Sequence, residues 1–291
     1  MKSFDHHFKG QFPLLKKVAA NSKFPHRATI GSEIPHLVSA YIDYLRNQGN
    51  PWKITGYPKD PVLSEAMGAL FASKMKLMAY IPAIRRANSG KCCSMCGSLG
   101  STQVDHYLPR KHFPEFAVFK PNLFPICGCN QSKQHKTIGS NPGERFLHPA
   151  YDRKISDRGI FVRIREHGGT PTYTVSFVKP KRVHDAAAFD FHARTLISTD
   201  RLQQHVKEGF ERFCRRPSSV LTVLKRRNPA SKAELKEMLC DEIEEASRQH
   251  RTKNNWDSVF LHALLERRTL DWIWRRMSVP GRAVNGPLIA L

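Results

Sequence analysis

The chain has 291 residues and carries 47 Lys and Arg against 25 Asp and Glu, a net charge of +22. Apolar residues make up 40% and charged residues 25%, which excludes a disordered chain and allows one large or two small folded domains. No apolar run reaches the ~18 residues that cross a bilayer, and the first residues lack the apolar segment of a signal peptide, so we predict a cytoplasmic protein with no membrane contact and reduced cysteines.

The positive charge predicts a polyanionic partner. Lys and Arg outnumber Asp and Glu 13 to 5 in residues 1–88, 6 to 2 in residues 89–140 and 28 to 18 in residues 141–291. Release of counterions drives such proteins onto phosphate backbones, so duplex DNA, bound mainly through its backbone, is the expected partner. A basic protein without this partner is the alternative that charge alone leaves open.

Residues 1–88 are predicted to form an N-terminal helical region. Apolar residues at the helical spacing predict helices over residues 34–46 and 62–79. Asp60 or Ser64 would cap the second helix, and Pro82 would interrupt it before a short further turn. The first 30 residues show no clear period.

Residues 141–291 are predicted to form a β-hairpin followed by helices. The expected strands are residues 160–165 and 173–178, and the expected helices are residues 184–214, 218–227, 231–250 and 255–277. The last helix carries an apolar stripe that is assigned to the core, comprising Trp256, Phe260, Ala263, Leu264, Leu270, Ile273, Trp274 and Met277. The tail from Pro280 is expected to be irregular.

Residues 89–140 differ in composition from the flanking regions and hold two cysteine pairs. Cys93 and Cys96 form a C-x-x-C turn, and Cys127 and Cys129 supply a second pair. Zinc takes four soft ligands in a tetrahedron, usually two from each of two tight turns, so this spacing predicts a structural zinc site. Buried cysteines that act as small apolar residues are the alternative, and Cys92 could replace Cys93 as a ligand.

The stretch from Cys92 to Lys136 resembles the HNH (ββα-metal) endonucleases, in the form that a four-cysteine zinc site braces. The resemblance rests on Asp105-His106, on Asn122 in the phrase Asn-Leu-x-Pro-x-Cys, and on Asn130 in the phrase Cys-Asn-x-x-Lys. It covers about fifty residues. The second knuckle is C-x-C where the family usually has C-x-x-C, which leaves the identity of one zinc ligand open.

The resemblance implies an α+β fold, in which a small ββα-metal motif with zinc knuckles lies between the N-terminal helical region and the C-terminal hairpin and helices. It also implies that Asp105 and Asn130 hold one Mg²⁺ or Mn²⁺ ion through hard oxygens. Asn122 would fix the loop and orient the ring of His106. His106 is the candidate general base, since imidazole titrates near neutral pH, and a backbone carbonyl is the expected partner of its other ring nitrogen.

Several residues have a second interpretation. Asn130 could simply cap the short helix expected at residues 131–136. Further candidates for metal or phosphate contact are His112, His135 and Gln134. Basic side chains near the motif are predicted to meet phosphates, and these are Arg110, Lys111, Lys133 and Lys136.

The sequence therefore predicts a metal-dependent DNA endonuclease with one active site, which would nick duplex DNA. The alternatives are a non-catalytic zinc module that binds nucleic acid, an RNA-directed nuclease, and a scaffold with a degenerate nuclease. The flanking regions have the length seen in nucleases of bacterial anti-phage defence clusters, an analogy that suggests protein partners within such a system. The oligomeric state is left open.

Overall fold

A computed structural model describes residues 1–3, 10–56, 60–101, 103–167 and 170–288. The chain forms two compact units. The first comprises Met1–Ile155 and Lys181–Leu196, and the second comprises Ser156–Pro180 and Ile197–Leu291. This division does not coincide with the three regions delimited in the sequence at residues 88 and 140, because residues 141–155 group with the preceding chain.

The first unit contains six helices and one two-stranded antiparallel sheet among the described residues. They are α1 (Gln11–Ala19), α2 (Arg27–Arg46), α3 (Pro61–Ala72), α4 (Tyr80–Asn88), β1 (Gln103–His106), β2 (Leu123–Ile126), α5 (Asn130–Lys133) and α6 (Ala186–Leu196). The predicted helical character of residues 1–88 is confirmed. The helix α1 was not predicted, and α2 begins seven residues before the expected start at residue 34.

The helix predicted over residues 62–79 is shorter in the structure, and it ends well before Pro82. Asp60 caps α3 by accepting a hydrogen bond from the Val62 N–H, and the helix ends at Ala72. A short 3₁₀ turn follows, and then α4 begins at Tyr80. Pro82 is the third residue of α4, where its missing N–H leaves no helical bond unmade, so it is accommodated in the first turn of a new helix.

The second unit contains the hairpin and four helices within its described residues. They are β3 (Ile160–His167), β4 (Thr170–Phe177), α7 (Thr199–Arg215), α8 (Lys232–His250), α9 (Trp256–Leu264) and α10 (Arg267–Met277). The strands β3 and β4 pair antiparallel from Ile160↔Phe177 to His167↔Thr170, so the predicted hairpin is confirmed. The predicted turn at residues 168–169 lies outside the described residues.

Two of the long predicted helices are each broken in two. Ser198 accepts a hydrogen bond from the Arg201 N–H and so caps the start of α7. The single helix predicted over residues 184–214 is therefore interrupted there. The carboxylate of Glu266 accepts from the N–H groups of Arg268 and Thr269 and starts α10. Residues 218–227 form two 3₁₀ turns rather than a helix, whereas the helix predicted over residues 231–250 is confirmed by α8.

The apolar stripe of α9 and α10 lies in the core, as predicted. Seven of its eight side chains are buried, and Trp274 is half-buried. In the part of the chain that the structure describes, no helix combines the length and apolar character needed to cross a membrane.

Candidate metal centre and cleft

Two short strands and a one-turn helix organise the central segment. In the antiparallel ladder of β1 and β2, Asp105 lies opposite Phe124 and His106 lies opposite Leu123. The helix α5 follows β2 and covers four residues, so it is shorter than the helix expected at residues 131–136. The predicted order of strand, strand and helix is present, and it brings the Asp-His pair and Asn130 to the same part of the first unit.

The four predicted zinc ligands form one buried cluster. The sulfurs of Cys93, Cys96, Cys127 and Cys129 all lie within 4.8 Å of one another. Two sulfur pairs, Cys93–Cys129 at 3.7 Å and Cys96–Cys127 at 3.5 Å, match the ~3.8 Å separation of thiolates around a tetrahedral zinc with bonds of ~2.3 Å. These cysteines could therefore hold a metal ion such as zinc. Cys92 is buried outside the cluster, so Cys93 is the member of that pair that belongs to it.

Backbone amides of the two knuckles point at the sulfurs. The Sγ of Cys93 accepts from the N–H groups of Met95 at 3.4 Å and Cys127 at 3.5 Å. Within the C-x-C knuckle, the Cys129 N–H donates to the Sγ of Cys127 at 3.3 Å, with the exposed Gly128 between them. Hydrogen bonding, first of all from the Cys129 thiol, lowers the pKa of Cys127. Such bonds favour thiolates, which are the form that binds metal, whereas burial raises the pKa of Cys93.

A histidine that sequence reasoning missed supports the first knuckle. His192 on α6 donates from Nε2 to the Met95 carbonyl at 2.7 Å and accepts at Nδ1 from the Leu147 N–H at 3.0 Å. Burial lowers the pKa of His192 to about 4, so the ring is neutral at pH 7 and can make both bonds. Its only sequence signal is a position on the buried face of an amphipathic helix, which is far more often a mark of packing.

The ring of His106 is buried and held in one tautomer. Its Nε2 lies 2.8 Å from the Ala117 carbonyl and donates to it, which confirms the predicted backbone partner. Nδ1 is then the unprotonated nitrogen, and it has no hydrogen-bond partner within the described residues. Burial lowers the pKa of His106 to about 4. The ring packs against Phe71 of α3, with centroids 4.7 Å apart.

Asn122 fixes the loop between the two strands, as the resemblance implied. Its amide is fully buried, accepts from the Leu108 N–H at 2.7 Å and donates to the Leu108 carbonyl at 3.0 Å. It also donates to the Phe116 carbonyl at 3.3 Å. Phe116 precedes Ala117, so the same amide positions the carbonyl that holds His106.

Lys133 is placed differently from its predicted role. Its side chain is buried, and its Nζ donates to Asp105 Oδ2 at 2.9 Å and to the carbonyl of His106. An ammonium at this position is engaged inside the protein and is not available to a phosphate. We therefore reassign Lys133 to the support of Asp105, whose side chain is 27% exposed.

Asn130 presents an oxygen that lacks a partner. The N-cap of α5 is Cys129, and Asn130 is the first helical residue, so the interpretation of Asn130 as a cap is not what the structure shows. Its Nδ2 donates to Gln103 Oε1 at 2.9 Å. Its Oδ1 is buried without a hydrogen-bond partner among the described residues. A buried amide oxygen left in this state fits a ligand position for a hard cation.

These groups line one open cleft of about 710 Å³. The predicted residues that it brings together are Asp105, His106, Asn130, Arg110, Lys111, Gln134 and His135. Arg110 and Lys111 are exposed, and the guanidinium of Arg110 lies 5.5 Å from the centroid of Phe71. Gln134 does not continue α5, since the helix ends there in a backbone with φ of 50°.

Four of the predicted residues do not line this cleft, and two of them, Asn122 and Lys133, are the buried residues described above. Lys136 is exposed at the surface, and His112 packs edge-on against His135, with ring centroids 6.0 Å apart.

The outer wall of the cleft was not predicted. It comes from His26, which precedes α2, and from Ser64, Glu65 and Gly68 on α3. No motif marks these residues, because they lie at least 37 residues before Asp105 in the chain and meet it only through the fold. Glu65 and Asp105 are the two carboxylates among the lining residues.

Comparison with known proteins gives one relative for this chain. It is 36% identical over 86 residues to "Protein ea31" of Escherichia phage lambda, a match that covers 29% of each chain. The chain thus spans less than a third of that relative's length, and the relative's name states neither an activity nor a ligand. No protein-family model matches the chain, and no solved structure matches it.

Proposed function

We propose that the chain is a metal-dependent DNA endonuclease of the HNH type. The observation that carries the proposal is the juxtaposition in one open cleft of a neutral imidazole, a carboxylate and a buried amide oxygen; within the described residues, neither the imidazole Nδ1 nor the amide oxygen has a hydrogen-bond partner. Hydrolysis of a phosphodiester needs a base for the attacking water and compensation of the negative charge that develops on the phosphate and leaving group.

His106 supplies the base in this proposal. The bond from Nε2 to the Ala117 carbonyl keeps the proton on that nitrogen, so the lone pair is on Nδ1 of a residue that lines the cleft. Nδ1 takes a proton from the water that attacks phosphorus, and the carbonyl stabilises the imidazolium that forms. Asn122 holds the segment that carries this carbonyl, so it acts as a positioning residue.

Asp105 and Asn130 would hold a single Mg²⁺ or Mn²⁺ ion, since both offer hard oxygens to the cleft. Such an ion, when bound, offsets the charge on the scissile phosphate and on the departing 3′ oxygen. Lys133 engages Oδ2 of Asp105 and keeps this carboxylate in place. The four-cysteine cluster would hold a structural zinc ion that braces the two knuckles beside the cleft.

Exposed basic side chains at the cleft would contact the backbone of the substrate. Arg110 and Lys111 line the cleft itself, and Lys136 is an exposed residue that follows shortly after the end of α5. A net charge of +22 favours binding to duplex DNA, which is a polyanion. It also predicts that the binding affinity falls steeply as the salt concentration rises. A role in anti-phage defence, with protein partners, stays a proposal by analogy.

The test of the cleavage chemistry is a plasmid time course with Mg²⁺ or Mn²⁺. We expect supercoiled DNA to become open circles first, since one active site cuts one strand per encounter. His106→Ala should lower the cleavage rate by about 10²–10⁴-fold without loss of DNA binding, because a general base acts in the transition state. His36→Ala, which removes an exposed histidine of α2, is the matched control and should cut normally.

Two results would overturn the proposal. Full activity of His106→Ala would show that another residue acts as the base. His135→Ala, at a residue that lines the same cleft, would then be the informative variant. A wild-type protein that binds DNA and never cuts it, with any divalent ion, would leave a zinc-containing binding module in place of an enzyme.

A further inference from the structure

The hairpin of the second unit has one polar, solvent-exposed face. Its exposed side chains are Arg163, Arg165, Thr170, Thr172, Thr174 and Ser176. The strand register places Arg163 opposite Thr174 and Arg165 opposite Thr172, so these side chains lie side by side on the ribbon. The other face packs into the core through Ile160, Val162 and Ile164, which are buried.

The composition of this face differs from that of an ordinary solvated surface. Among its described side chains, the half-buried Phe161 packs against His262, and the others carry guanidinium or hydroxyl groups and no carboxylate. The second unit does not lack acidic residues, since α8 alone carries Glu237, Asp241 and Glu242. The exposed side chains of this ribbon face offer positive charge and hydroxyl groups, which complement a polyanion that also presents hydrogen-bond acceptors.

We infer that this ribbon face is a binding surface for duplex DNA and that it enters the major groove. That groove is about 12 Å wide and admits a two-stranded β-ribbon. Arg163 and Arg165 are two residues apart, a step of roughly 7 Å along a strand that equals the rise of two base pairs. Arginine pairs with the acceptors of guanine, and threonine hydroxyls contact bases or phosphates.

This inference goes beyond the cleavage proposal, because it rests on the ribbon and not on the cleft. A chain that binds DNA without cutting it would use the same surface. The surface would also supply what backbone contacts cannot, which is discrimination between base sequences.

The test is the binding of the full chain to labelled duplexes, measured by fluorescence anisotropy with Ca²⁺ in place of Mg²⁺. The variant Arg163→Ala/Arg165→Ala should bind at least about 30-fold more weakly, since each good arginine–base pair contributes about 1–3 kcal/mol. The matched control is Arg267→Ala/Arg268→Ala, which removes the same charge from two exposed arginines of α10 and should lose less than about fivefold. Equal losses in the two variants would overturn the inference.

Two further measurements separate groove binding from general attraction. Thr172→Val/Thr174→Val keeps charge and strand propensity and should alter the preference among duplex sequences, with an unchanged dependence on salt. A-form RNA has a major groove too narrow for a ribbon, so the arginine variant should bind an RNA duplex as the wild type does. An equal loss on RNA and DNA would contradict groove entry. None of these readouts depends on cleavage, so failure of the cleft chemistry would leave their outcome unchanged.

Discussion

The cysteine cluster and the His106 cleft lie beside the same two four-residue strands and differ in almost every property. The cluster has four sulfurs, all buried and mutually within 4.8 Å. The cleft offers oxygen and nitrogen donors around an open space of about 710 Å³. Structural metal sites are closed and catalytic sites keep a position for substrate. The comparison sets a closed cluster suited to a structural metal beside an open cleft suited to the proposed chemistry, and the two should respond differently to substitution.

The largest expected effect is on the closed site. Cys96→Ser should remove the bound metal and unfold the first unit, since structural zinc contributes about 10–16 kcal/mol that is coupled to folding. Elemental analysis and thermal unfolding would check this. Cys92→Ser is the matched control, because Cys92 is buried but lies outside the cluster, and it should keep one zinc per chain. If the metal-free wild-type protein kept its melting temperature, the cluster would not be a structural metal site.

A second prediction concerns the histidine that supports the closed site. Both hydrogen bonds of His192 use the neutral ring, and burial outweighs the hydrogen bond to Met95 and the charge of Asp152 to lower its pKa from 6.5 to about 4. The unfolded chain therefore binds the proton more readily between these values. The stability that this group contributes is complete above pH 6.5 and is lost as the pH falls toward 4, by about 3 kcal/mol.

The variant His192→Gln isolates this contribution. It lacks the titrating group, so its free energy of unfolding should fall about 3 kcal/mol less than that of the wild type between pH 6.5 and 4. Urea unfolding at a series of pH values would measure the difference. Identical pH slopes for the two proteins would show that His192 is not the group responsible.

The smallest expected effect is on the open site. Gln103 accepts a hydrogen bond from Asn130 Nδ2 and so orients the amide whose oxygen is proposed to bind the cation. Gln103→Ala should weaken Mn²⁺ binding by about 10-fold, the lower end of the range for a residue that orients a ligand. Mn²⁺ titration followed by electron paramagnetic resonance would measure it, with zinc content and melting temperature unchanged. A loss of zinc in this variant would mean that the two sites are not separable.

Much of the site could be predicted because its chemistry is local in sequence. The cysteine spacing identified the cluster, and the order of Asp105, His106, Asn122 and Asn130 identified residues that the fold brings to one region. The geometry settled only what spacing left open, such as the choice of Cys93 over Cys92.

The remaining features depend on contacts that no local pattern encodes. The buried state of Lys133 follows from its approach to Asp105 across 28 positions, and the α3 wall of the cleft follows from packing. Periodicity also continues through a helix break when the flanking helices share an apolar face. The breaks at Ser198 and Glu266 were therefore missed, although each has a capping side chain that could have indicated it.

The ion pair of Lys133 and Asp105 bears on how the protein is handled and stored. The ammonium supplies an internal counter-charge for the one carboxylate of the Asp-His pair, so Asp105 is not left as an unpaired charge when divalent ions are scarce. Under the proposed function, the folded chain would therefore persist in a magnesium-poor medium in a dormant form. Removal of magnesium by a weak chelator would then be a reversible off-switch, whereas only a reagent strong enough to extract ions from thiolates would destroy the preparation.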